Sequence, residues 1–247
     1  MRTWIGTSRG QNGKTKVTLV WEPTPKSAGE RSVAASDQPA RISVMAVGAD
    51  GSPFFRGRVP DAVVASAAPP GAGSTANAAT AARGPSRVTF EVNPGKMQLR
   101  LSVEGAASQV LDTEVREITV PDLTSSEVML GTPELLRART LREFQQLKAD
   151  PAAVPVTGRE FSRTERVLIR VVSYSPGSAA ATVAARLLNR AGQPMNDLAI
   201  TPADASGVTQ IDLPLSGLAP GEYVVEIVAT GAGGGEAREL VGFRVTA

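Results

Sequence analysis

The sequence predicts an all-β protein built as two antiparallel β-sandwich domains, with one short helix in the second. Three observations carry this expectation. Apolar and polar residues alternate with period two through much of the chain, which marks strands with one wet face. Gly and Pro are abundant, 24 and 18 of 247 residues, as many short turns require. Aromatic residues are only 4% against 42% hydrophobic, so the cores must be built from Val, Leu, Ile and Ala. A chain of this length suits two domains of about 100–150 residues each.

Along the chain, strands are expected at 16–21, 41–47, 54–59, 87–92 and 96–103. The last is the clearest: Met97, Leu99, Leu101 and Val103 share one face and Lys96, Gln98, Arg100 and Ser102 the other. Asp50-Gly51 marks a hairpin turn between 41–47 and 54–59, and Asn93-Pro94-Gly95 a second between 87–92 and 96–103. The segment 23–39 reads as a polar, low-complexity, mobile connection. The segment 65–85 holds nine Ala, three Pro and three Gly with Arg83 as its one charge. Pro and Gly break the helix that Ala favours, and the apolar bulk is too small to offset ordering entropy. We expect a disordered Ala/Pro/Gly loop there, inside the first domain.

Val115 and Ile118 are both apolar but three apart, which predicts a bulge where the alternation changes phase. Ile118-Thr119-Val120 then runs into Pro121-Asp122-Leu123-Thr124-Ser125-Ser126, a Pro and Ser/Thr cluster that predicts a domain boundary. The expected division is 1–123 and 124–247. Thr140-Leu141-Arg142-Glu143 is a capping box, with Thr140 serving the Glu143 amide and Glu143 the Thr140 amide. Leu141, Phe144 and Leu147 fall on one face and Pro151 stops the helix, which is expected near 141–149. Strands at 167–172, 182–188, 223–229 and 240–245 complete the second domain. Leu218-Ala219-Pro220-Gly221-Glu222-Tyr223 precedes an alternating strand as a tyrosine corner does, so both sandwiches are expected to be immunoglobulin-like.

Composition excludes much chemistry. With no His and no Cys, the chain has no imidazole base, no thiol nucleophile, no disulfide and no thiolate metal site. The 26 basic and 24 acidic residues leave a net charge of only +2, despite a pI near 9.2. The densest basic stretch, Arg137 to Arg170, is interleaved with Glu134, Glu143, Asp150, Glu160 and Glu165, so no nucleic-acid footprint is read. No apolar run reaches the roughly 18 residues of a membrane-spanning helix. The N-terminus, Met1-Arg2-Thr3-Trp4-Ile5-Gly6, lacks the apolar core of a signal peptide. The chain is therefore expected to be either cytoplasmic or a downstream piece of a longer exported protein.

Each remaining cluster has a structural reading. Trp4 and Trp21 could form a flat platform for a sugar ring, but Trp21 shares the face of Val17 and Leu19 and points inward. Gly231 and Gly233-Gly234-Gly235 match no phosphate-binding spacing and read as a flexible hairpin loop. Asp112, Glu114 and Glu117 could in principle serve a carboxylate-based hydrolase. At strand spacing, however, Asp112 and Glu114 point together toward a wet face. No catalytic residue, metal ligand or cofactor is assigned.

Several segments taken together resemble a known family. They are RTWIG at 2–6 with GKTKVTLVWEP at 13–23, DGSPFFRGRV at 50–59, PGKMQLRLSVEG continuing through LDTEVREITVPDL to 123, GREFSRTERVLIRV at 158–171, and LAPGEYVVEI with ELVGFRV within 218–245. This resembles the β-rich region downstream of the A domain in bacterial von Willebrand factor A domain-containing proteins. The A domain itself is not in this sequence. Asp122-Leu123-Thr124-Ser125-Ser126 is similar to that domain's metal-ion motif, but Pro121 precedes it and no α/β alternation surrounds it. The resemblance implies an accessory β-sandwich region, usually exported with its parent, and no catalytic residues. The expected function is a non-enzymatic structural or protein-interaction module that meets its partner through exposed strand edges or loops. Limited trypsin digestion checks the loop expectation: cleavage at Arg83 should precede cleavage within the strands.

Overall fold

The computed structural model describes residues 1–24, 38–60, 86–176, 180–204 and 207–247. In it the chain forms four sheets that face each other in pairs, as two β-sandwiches. The expected loop at 65–85, and the connection at 23–39 apart from its ends, lie outside the described residues.

The N-terminal sandwich sets β1 (Arg2–Arg9), β2 (Thr15–Glu22) and β5 (Ser86–Val92), in the order β1-β2-β5, against a four-stranded sheet. That sheet runs β4-β3-β6-β7, from β3 (Pro39–Gly48), β4 (Pro53–Val59), β6 (Gly95–Gly105) and β7 (Val110–Val120). Val17, Leu19 and Trp21 of β2 meet Ile42 and Val44 of β3 and Met97, Leu99 and Leu101 of β6 in one core. Trp21 is 3% exposed, and its indole N–H donates to the Val59 carbonyl at 3.1 Å. The period-two pattern alone identified these inward faces.

The Asp50-Gly51 turn closes the β3–β4 hairpin as expected. Gly51 takes φ +81°, and Asp50 Oδ1 accepts from the Ser52 amide at 3.0 Å. The hairpin expected at Asn93-Pro94-Gly95 does not form. β5 pairs with β2 while β6 pairs with β3, so the chain changes sheet there, with Gly95 at φ +130°. A short turn brings two strands close, but only their core contacts decide whether they share a sheet. The bulge expected between Val115 and Ile118 is also absent. The β6–β7 register is continuous from Val103↔Asp112 to Gly95↔Val120 and shifts instead at Val103/Glu104. Ile118 packs on the core, and Val115 is simply an outward apolar residue, 58% exposed.

In the C-terminal sandwich one sheet runs β10-β17-β16-β12-β13. Its strands are β10 (Glu160–Ser162), β12 (Thr182–Asn189), β13 (Pro194–Asp197), β16 (Gly221–Thr230) and β17 (Glu236–Thr246). All pair antiparallel except β10 and β17, which run parallel. The facing sheet holds β14 (Ala199–Thr201), β15 (Val208–Pro214) and β11 (Arg166–Tyr174), with β8 (Met129–Leu130) and β9 (Glu134–Ala138) on the far side of β11. The strand β15 escaped the sequence reading although Thr209, Ile211 and Leu213 alternate cleanly; the polar residues between them hid it.

β11 is buried on both faces. Val167, Ile169 and Val171 enter the sandwich core, while Leu168 seats the helix α1 (Leu141–Ala149) through Phe144. Thr140 Oγ1 caps the Glu143 amide at 3.1 Å, as expected. Glu143 Oε2, however, accepts from the Arg139 amide at 2.7 Å rather than from Thr140. Leu147 packs beside Phe144 as expected, whereas Leu141, in the first turn, is 65% exposed and takes no part in the seat. The hairpin expected at the glycine cluster joins β16 and β17, and its base is closed by the Gly231 amide donating to the Gly235 carbonyl at 2.9 Å.

The tyrosine corner forms as expected. Tyr223 Oη donates to the Ala219 carbonyl at 2.9 Å, and its ring stacks on Phe243 at 5.8 Å. The bond ties the start of β16 to the turn before it, and the ring contact ties it to β17. Tyr223→Phe keeps the ring and loses the bond, so chemical denaturation should show a loss of about 1 kcal/mol with an unchanged m-value.

Candidate functional site

Two features stand out: a cleft where the sandwiches meet, and the long edge of β7, which no other described strand covers. The meeting is organised by β1. Its Thr7 amide donates to Thr132 Oγ1 and its carbonyl accepts from the Thr132 amide, both at 3.0 Å. Gly131 permits this approach, since a Cβ there would lie 3.1 Å from the Thr7 carbonyl oxygen. Two residues on, Arg9 donates from Nε (2.9 Å) and Nη2 (2.6 Å) to the Leu123 carbonyl and stacks its guanidinium 4.5 Å from the Tyr174 ring centre. Tyr174 Oη accepts from the Arg9 amide at 2.8 Å. Burial pushes the Tyr174 hydroxyl above its usual range, against the pull of Arg9. The Thr157 hydroxyl bonds the Glu22 carboxylate at the other end of the junction.

Between these ties lies a cleft of about 550 Å3. One wall is the outer face of β1 and β2, where Trp4 pairs with Val20, Gly6 with Thr18 and Ser8 with Lys16. Trp4 is 5% exposed and lies over Gly6, where a Cβ would come within 2.0 Å of its ring. Its indole N–H is buried with no acceptor among the described residues. The opposite wall carries Glu134, Lys148, Arg170 and Gln210. Arg170 is 6% exposed and is occupied in capping α1, bonding the Leu147 carbonyl and, at 2.7 Å, that of Asp150. Gln210 Nε2 serves the Lys148 carbonyl at 3.2 Å. A cation at the negative end of a helix dipole is favourably placed. Burial pushes the Glu134 carboxyl above the ordinary glutamate range, with Arg170 and Arg87 pulling the other way.

The second feature is β7, eleven residues long and paired only with β6 among the described residues. Val115, Glu117 and Thr119 face outward; Ile118 and Val120 face the core. Farther along that inner face, Arg116 joins the Glu114 carboxylate and reaches Thr3 Oγ1 on β1 at 2.5 Å. The hydrogen bond from Arg116 holds Glu114 below the usual carboxylate range.

The residues singled out in the sequence do not converge. Asp112 and Glu114 share the inward side of β7 rather than a wet face, and Glu117 lies on the other side. The two point together as expected, and charge is tolerated on this side because β7 is an edge strand, whose inner rim reaches solvent. Asp122 is spent on a local turn, accepting from the Thr124 amide at 2.9 Å and hydroxyl at 2.6 Å, which hold it below the usual range. Among the described residues no three acidic groups cluster as a metal site. Neither tryptophan presents an exposed ring. The cleft itself went unforeseen; its one local signal is Trp4-Ile5-Gly6, a large ring beside a glycine on the same strand face.

Fold and junction together define a tandem β-sandwich module. No family model and no curated protein matches the chain. Among solved structures it is similar to a tetra-tandem repeat in the extending region of a large adhesion protein, with 11% identity, a TM-score of 0.30 and 95% of this chain covered. It is also similar to dimeric latent PorU from Porphyromonas gingivalis (14%, TM-score 0.39, 100% covered) and to the CbhA fibronectin(III)-like modules of Clostridium thermocellum (7%, 0.28, 95%). The chain spans 46%, 20% and 85% of those chains respectively. The fold rests on the sheet topology itself. Among the described residues no helix is long and apolar enough to cross a membrane.

The raised Glu134 carboxyl has a consequence for stability. The folded protein holds this proton to higher pH than the unfolded chain. Its contribution is thus fully present below the unfolded value and is lost as pH rises through the folded one. Glu134→Gln should therefore raise the melting temperature relative to the parent more at about pH 8 than at about pH 4, as parallel thermal melts would read.

Proposed function

We propose that this protein is a non-enzymatic structural and protein-interaction module, divided near Leu123 into two sandwich units. Its context is an extracytoplasmic system of the von Willebrand factor A-related type in bacteria. The observation that carries the interaction reading is the edge of β7. Eleven residues of backbone run along one side of the N-terminal sandwich with no strand beside them among the described residues. An extended segment of a partner protein can add there by main-chain hydrogen bonds, with side-chain pairing at Val115 supplying selectivity. The structural reading is supported by the junction, where bonds from Thr7 to Thr132, from the Arg9 amide to Tyr174 and between Glu22 and Thr157 hold the second sandwich to the first.

Site-specific photo-crosslinking tests this reading. A crosslinking amino acid in place of Thr113, on the outer side of β7, is compared with one at exposed Leu240 of the other sandwich, both in the source cells. A discrete adduct is expected from position 113 alone, and it should fall about fivefold in a Val115→Asp background, the size of one lost cross-strand pair. Equal yields from both positions, or none from 113, would overturn the strand-addition reading.

A further inference from the structure

We propose, building on strand addition at β7, that the chain added there is a second copy of this protein, the two β7 strands pairing antiparallel about a two-fold axis at Val115. The support is the strand's own sequence, which is complementary to itself in this register. Opposed residues in an antiparallel pair share a face of the sheet, and a two-fold axis makes each contact occur twice. Val115 is the central residue of β7 and is 58% exposed. With the axis there, Val115 meets its own copy on the outer face. On the inner face Glu114 comes opposite Arg116 of the second copy, and Arg116 opposite its Glu114. Thr113 then faces Glu117, and Asp112 faces Ile118.

Neighbouring registers lack this match. Moving the axis to Thr113 sets Asp112 against Glu114, and moving it to Glu114, Arg116 or Glu117 sets that charged residue against itself. Like charges directly opposite are destabilising. Charges on an edge strand ordinarily discourage pairing, and here they discourage the adjacent registers while favouring one. The paired carboxylates also follow a pattern the protein already uses. Glu226 of β16 lies between Arg186 of β12 and Arg238 of β17, one from each neighbouring strand. Glu114 is bonded to Arg116 of its own strand and its side chain is 38% exposed, so a second β7 can bring the other guanidinium. The register shift at Val103/Glu104 lies opposite the start of β7 and bounds the new ladder at Asp112 and, by symmetry, at Ile118. In the pair the sheet runs β4-β3-β6-β7-β7-β6-β3-β4, and neither β7 is left as an edge.

Because the chain has no cysteine, single-cysteine variants of the purified full chain read the register directly. Opposed residues have Cα atoms about 4.5–5.5 Å apart, within reach of a disulfide, whereas position 113 lies roughly 13 Å along the strand from its own copy. Under mild oxidation Val115→Cys should give a disulfide dimer. Thr113→Cys and Glu117→Cys should each remain monomeric alone and form a heterodimer when mixed. In sedimentation equilibrium Glu114→Arg and Arg116→Glu should each dimerise roughly tenfold more weakly than the parent, since two opposite-charge pairs become like pairs. An equimolar mixture of the two folded variants restores both pairs and should regain the parent's affinity. A parent that stays monomeric, equal disulfide yields at 113 and 115, or no recovery in the mixture would overturn self-pairing. The crosslink at position 113 in the source cells separates this outcome from the failure of strand addition. An adduct whose mass differs from twice that of the chain rejects self-pairing and keeps strand addition, whereas no adduct rejects both.

Discussion

The bond pair between Thr7 and Thr132 is the contact on which the arrangement of the two sandwiches depends. β1 is an edge strand, and Thr132 takes one of its amides and one of its carbonyls as a neighbouring strand would. An unpaired edge is a liability for a β protein, and here part of it is spent on joining the two halves. Everything at the junction follows from that register. Arg9 comes beside Leu123 and Tyr174, Glu22 beside Thr157, and the outer face bearing Trp4 and Val20 is covered rather than wet.

The same economy governs the charges. Several carboxylates that leave water do so between two cations. Glu104 stands 3.0 Å from Arg41 and 3.3 Å from Arg58, and Glu226 pairs with Arg186 and Arg238. Removing one cation from such a group leaves a buried charge uncompensated, which is why these clusters are structural features first. Arg170 obeys the same rule through backbone carbonyls, binding the last turn of α1 to β11. The basic stretch that includes Arg137, Arg139 and Arg166 is likewise consumed by Glu165 and Asp212.

Much of this was legible in the residues. The inward faces of β2, β3 and β6, the helix with its Thr140 cap, the Asp50-Gly51 hairpin and the Tyr223 corner are all local or near-local patterns. Their physics acts within a few residues, so a single chain segment carries the full signal. The misreadings share a different cause. Asn93-Pro94-Gly95 signals a turn but not whether the chain stays in its sheet. Val115 is apolar, but its register opposite Arg100 puts it on the outward face of the sheet. Glu114 is charged, but its side of β7 is set by the register with Leu101.

The sequence by itself determined that this chain is a β protein, where most of its strands run, and which side of most of them is apolar. It also excluded the chemistries of His and Cys. Only the tertiary structure decided which strands are neighbours, that Trp4 lies buried at a junction instead of on a surface, and that Lys16, Glu134 and Lys148 face one space. The physical reason is separation along the chain. Alternation is a property of adjacent residues, whereas a cleft is made by groups such as Trp4 and Arg170 that meet only when two sandwiches are docked.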